Sequence, residues 1–119
     1  MSDQRKETRK KLIAFTPVYG LRPKTLLGYL VDLTMSGARV EGEKPVEVNK
    51  QFELAIEFPG DLPEITIYPF TISAIAVRCV QDEGPQFYSI GFKFTGITAE
   101  QTRIIEAIIA RYAFRNEYP

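Results

Sequence analysis

The run Leu27-Gly28-Tyr29-Leu30-Val31-Asp32-Leu33-Thr34-Met35-Ser36-Gly37-Ala38-Arg39-Val40 reads as strand, turn and strand. Leu27, Tyr29, Val31 and Leu33 alternate with Gly28, Leu30 and Asp32, the two-residue period of a pleated strand with one face toward a core. Met35-Ser36-Gly37 supplies a turn, and Ala38-Arg39-Val40 begins the returning partner. Further along, Phe52, Leu54, Ile56 and Phe58 share a face opposite Glu53 and Glu57, until Pro59-Gly60 stops the pattern. Residues 64–80 are mostly apolar on both faces, which predicts a long strand bent or broken at Pro69. Gly84-Pro85 turns the chain into a last alternating set, Tyr88, Ile90, Phe92 and Phe94. Short strands separated by turns predict an antiparallel sheet that closes on itself as a small barrel.

The carboxyl end changes period. Thr98 and Gln101 have the spacing of a capping box, in which each side chain satisfies a free amide at a helix start. Ile104, Ile105, Ile108 and Tyr112 then form one stripe, with Arg103, Glu106 and Arg111 off it. The stripe is read as core packing against the barrel; a groove-binding helix for a partner is the lesser alternative.

Composition sets the bounds on function. The 119 residues are 45% apolar and 25% charged, with no His and one Cys, which is the make-up of a single globular module. Without His there is no imidazole base and no His-Cys zinc site, and a lone Cys forms no internal disulfide. These absences count against an enzyme and predict no catalytic residue, metal or cofactor. Cys79 is read as a small buried hydrophobe. The basic start meets only Leu12-Ile13-Ala14-Phe15 before Thr16-Pro17, too short for a secretory signal, and no apolar run is long enough to cross a bilayer. A cytoplasmic module without membrane insertion is expected.

Fifteen basic and fifteen acidic side chains cancel, yet they are unevenly placed. Residues 1–24 carry seven Lys or Arg against two acids, and residues 41–64 carry seven acids against two Lys, so the two segments stand at +5 and −5. The basic arm is either a solvated tail or a clamp for an anion.

Two short patterns favour the clamp. Arg5-Lys6-Glu7-Thr8-Arg9 has R-x-x-x-R spacing, and Asp32-Leu33-Thr34-Met35-Ser36-Gly37 is D-x-[ST]-x-x-G at a strand end. In these motifs, and in the order of elements around them, the chain resembles the PilZ domain family. The resemblance implies a mainly β fold, a six-stranded antiparallel barrel with a carboxyl-terminal helix. It divides the single domain 1–119 into a flexible basic arm at 1–11, the barrel at 12–95 and the helix at 98–114.

The resemblance also implies a ligand, cyclic di-GMP, held by Arg5, Arg9, Asp32, Thr34 and Gly37. The residue chemistry is compatible. Arginine bonds phosphate bidentately, donates to guanine O6 and N7, and stacks on purines. Asp32 offers an acceptor for the guanine N1–H and N2–H₂ donors, and Thr34 a hydroxyl that donates or accepts. Gly37 lets backbone turn and ligand approach where a side chain would collide. Thr34 stands where the family usually has Ser, and Ser36 where a second small residue precedes the glycine. An arm ordered by the ligand would alter a surface read by an effector protein. The alternatives are a PilZ-like interaction module that binds no nucleotide, and a barrel for single-stranded nucleic acid. The zero net charge and the acidic stretch oppose the latter, so no DNA or RNA partner is expected.

Overall fold

A computed structural model describes residues 11–13, 16–58, 69–81 and 87–114, with side chains for 16–58, 69–81 and 87–111. In chain order the elements are β1 (Lys11–Ile13), β2 (Pro17–Gly20), β3 (Thr25–Leu33), β4 (Gly37–Gly42), β5 (Gln51–Ile56), β6 (Phe70–Gln81), β7 (Tyr88–Phe94), α1 (Ala99–Arg111) and β8 (Tyr112–Phe114). Six of the strands close into an antiparallel barrel in the order β2-β3-β4-β7-β6-β5, as expected, while β1 and β8 pair in parallel as a separate ribbon.

The barrel interior is filled by alternate side chains, among them Val18, Val40, Leu54, Ile72 and Ile90, all fully buried. Ile104, Ile105 and Ile108 of α1 join the same cluster, so the apolar stripe of the helix is part of the core. Burying each isoleucine contributes about 1.5–3 kcal/mol. The helix begins as its capping box predicts. Thr98 N–H donates to Gln101 Oε1 at 2.8 Å, and Gln101 N–H donates to Thr98 Oγ1 at 3.1 Å. Gln101 also ties the helix to the barrel, its side-chain amide donating to the Thr71 carbonyl of β6 at 2.8 Å.

Several expectations are corrected. The helix ends at Arg111, short of 114, because Tyr112, Ala113 and Phe114 leave it to pair with Lys11, Leu12 and Ile13. Leu12 and Ile13 consequently lie in that ribbon and not in the barrel. Thr16-Pro17, read as an interruption, leads into the barrel strand β2, where Thr16 and Val18 are buried. The described part of the predicted strand is β6, which starts directly after Pro69, where the missing proline N–H costs no ladder bond. Cys79 is only half-buried at the edge of the core. Residues 64–68 and the Pro59-Gly60 and Gly84-Pro85 turns lie outside the described residues.

The most consequential correction concerns β3. The alternation expects Tyr29 on the core face with Leu33, and Leu30 on the outer face with Asp32; instead Tyr29 is exposed and Leu30 buried, and the β3–β4 register skips Val31, pairing Leu30 with Val40 and Asp32 with Arg39. This bulge inserts one residue and reverses the faces that follow it. Core-facing positions run Leu30 then Leu33, and Asp32 points outward. The β6–β7 register does the same at Val77, pairing Ala76 with Phe92 and Arg78 with Gly91, so that Arg78 is exposed.

Candidate functional site

The D-x-[ST]-x-x-G run forms the β3–β4 hairpin. Thr34 N–H donates to the Gly37 carbonyl at 2.9 Å, which closes the reversal. The Thr34 hydroxyl then takes three bonds within the same turn, accepting from the amides of Ser36 at 3.3 Å and Gly37 at 3.1 Å and donating to the Gly37 carbonyl at 3.3 Å. This is the local side-chain-to-backbone closure that Ser and Thr favour in turns, and it uses the full capacity of the hydroxyl. Phe94 N–H donates to the Ser36 carbonyl at 2.9 Å and fastens the hairpin tip to β7.

Gly37 is required for a different reason from a left-handed turn. Its φ is not among the positive ones, whereas a Cβ at this position would run into the carbonyl oxygen of Phe92 on β7. Only a residue without a side chain lets β4 and β7 pair at this point. Asp32 is half-buried, and its Oδ1 accepts from the Leu33 amide at 3.0 Å, which orients the carboxylate.

Asp32, Thr34 and Gly37 are thus brought to one outward surface, where with Ser36, Arg39 and Lys93 they line a cleft of about 310 Å³. Arg5 and Arg9 lie outside the described residues. Arg39 and Lys93 were not singled out from the sequence. Each sits between two buried neighbours, Ala38 and Val40 or Phe92 and Phe94, so the signal was only that a charge in an alternating strand faces outward. Cross-strand pairing adds the rest, since Asp32 opposes Arg39 and Gly37 opposes Lys93. A carboxylate, two cations and free access over glycine give the cleft the means to hold an anionic ligand with hydrogen-bond donors of its own. A larger hollow of about 510 Å³ is lined by Leu21, Pro23, Val46, Phe52 and others, but by no described residue of either motif. Among the described residues no group of three His, Cys, Asp or Glu is placed to hold a metal ion.

The fold and hairpin define a class, the small closed barrel with a polar cleft at its β3–β4 turn. The family model described as PilZ domain matches residues 3–113, and the chain belongs to the PilZ domain family. A search of curated proteins finds no match. Among solved structures, the chain is similar to the Bacillus subtilis inhibitor of motility (MotI/DgrA), with a TM-score of 0.61 at 15% sequence identity. The likeness covers 86% of this chain and 50% of that one, so the chain spans about half the length of that protein. At such identity the likeness speaks for the fold.

Proposed function

We propose that the protein is a receptor for cyclic di-GMP, bound on the outer face of the barrel at the β3–β4 hairpin. The observation that carries this reading is the bulge at Val31, which turns the Asp32 carboxylate out beside Arg39 at the mouth of the Thr34–Gly37 cleft. Asp32 would accept from a guanine edge, Arg39 and Lys93 would face phosphate, and Gly37 leaves the backbone open to approach. Arg5 and Arg9 would close over the ligand from the arm. Membership of the PilZ family supports the ligand class. Its output would then be contact between the ordered arm and an effector protein, in the cytoplasm. The described residues include no helix long and apolar enough to cross a membrane.

Calorimetric titration of cyclic di-GMP into the full chain and into Arg9→Ala tests the proposal. Wild type is expected to bind and the variant to lose most of the affinity; no heat from wild type at tens of micromolar protein ends it. A second reading, a PilZ-like interaction module without nucleotide, draws on Thr34. Its hydroxyl is wholly engaged within the turn, so a ligand would have to compete for it.

A further inference from the structure

The outer surface carries a cross-strand row that starts at Asp32 and continues through residues outside both motifs. Asp32 on β3 pairs with Arg39 on β4, Arg39 with Gly91 on β7, and Gly91 with Arg78 on β6. Two arginines therefore flank a residue with no side chain. Adjacent strands are about 4.8 Å apart, so the stems of Arg39 and Arg78 stand roughly 9–10 Å apart over bare backbone. A planar ring stacked between two guanidinium planes needs about 7 Å, which long arginine side chains reach by leaning inward.

Both ends of the row are set by bulges. Val31 is skipped immediately before Asp32 and Val77 immediately before Arg78, and without these shifts both charges would point into the barrel. Two separate register breaks thus serve one row, on two strands that are not neighbours. Bulges are used to re-aim side chains beside binding sites, at the expense of ladder bonds. The row is bounded on one side by Lys93 and on the other by Glu41, each two residues along its strand. Arg78 is exposed and makes no hydrogen bond or ion pair with another described side chain, so its guanidinium is open to a ligand.

We infer that Arg39 and Arg78, on either side of Gly91, form a slot that takes one purine ring of the bound nucleotide, extending the contact surface across β7 onto β6. This rests on the proposed cyclic di-GMP reading and assigns the specificity for a flat base to residues outside both motifs.

Gly91 offers the direct test. A Cβ there would lie 3.5 Å from Arg78 Cβ and 3.9 Å from Val77 Cγ2, ordinary contacts, so the backbone accepts a side chain at this position and Gly91→Val adds two methyl groups between the arginines. Cyclic di-GMP is titrated into wild type, Gly91→Val, Arg78→Ala and Arg78→Lys, each checked by thermal melting. Affinity is expected to fall about tenfold or more in all three variants at an unchanged melting temperature, because the lysine keeps the charge but not the plane. Wild-type affinity in Gly91→Val and Arg78→Ala overturns the slot and leaves the receptor reading standing. Wild-type affinity in Arg78→Lys alone overturns the ring, since charge would then suffice. Absence of binding by wild type overturns the receptor reading and the slot with it.

Discussion

The two sides of the barrel treat charge differently. Along β2 and β5, charged side chains meet partners within the fold. Lys24 Nζ lies 3.5 Å from Glu57 and 4.5 Å above the Tyr19 ring, the Ser73 hydroxyl donates to Glu53 Oε1 at 2.8 Å, and Lys50 Nζ lies 5.4 Å from the Phe52 ring centroid. Across β4, β7 and β6 the exposed cations Lys93 and Arg78 have no such partner among the described residues, and two bulges and two glycines shape the surface around them. The first side is what a folded barrel needs in water. The second leaves exposed cations unpartnered beside the bare backbone of Gly91, an arrangement that suits the proposed ligand.

Glycines give the largest expected effect and the sharpest cut within the second side. Gly37→Ala places a methyl group on the Phe92 carbonyl, and relief requires parting β4 from β7. A loss of about 2–4 kcal/mol is expected in urea denaturation, with ligand binding lost alongside. Gly91→Ala, where the new methyl meets only ordinary contacts, is expected within about 0.5 kcal/mol of wild type. Equal losses in the two variants would mean that this face is built for strand packing throughout, and the contrast between the two sides would fail.

Much of this was legible in the sequence, for identifiable reasons. Phe52, Leu54 and Ile56 alternate cleanly and form β5, and the Thr98–Gln101 pair marks the helix start to the residue. These are local signals, complete within a few positions. The strand β2 was hidden because a proline, a glycine and two apolar residues are too short a pattern to show a period. The bulges at Val31 and Val77 were hidden because a register break is a property of two strands together; in one strand's sequence it looks like continued alternation. The row Asp32, Arg39, Gly91 and Arg78 was therefore invisible in principle, its members being joined only by pairing. The end of the helix is hidden for the same reason, since Tyr112 fits the helical stripe but pairs with Lys11.

A smaller effect separates the turn from the ligand contact. Thr34→Ala removes the hydroxyl that accepts two amides and is expected to cost about 1 kcal/mol, whereas Thr34→Ser keeps those bonds and should be near neutral. Should Thr34→Ala leave stability untouched while abolishing cyclic di-GMP binding, the hydroxyl would belong to the ligand and not to the hairpin. Lys93→Ala is the complementary change. It is expected to leave the melting temperature within error and to weaken cyclic di-GMP binding by about threefold to tenfold, with a shallower dependence on salt, because an exposed cation beside phosphate acts mainly through screened attraction. Unchanged affinity and salt dependence would remove Lys93 from the site.

The smallest effect is expected where charge is already paired. Lys24 is 58% exposed and Glu57 30% exposed at a separation of 3.5 Å, so water screens most of their attraction and the long lysine loses rotamer freedom in making the contact. A double-mutant cycle on Lys24→Ala and Glu57→Gln should therefore return a coupling of about 0.5 kcal/mol or less. Cyclic di-GMP affinity should be the same in all members of the cycle, because β2 and β5 lie on the far side of the barrel from the β4–β7 pair. A coupling above about 1.5 kcal/mol would make this side a structural staple. A change in ligand affinity would be more damaging, since it would place part of the binding energy on the side whose charges the fold already satisfies.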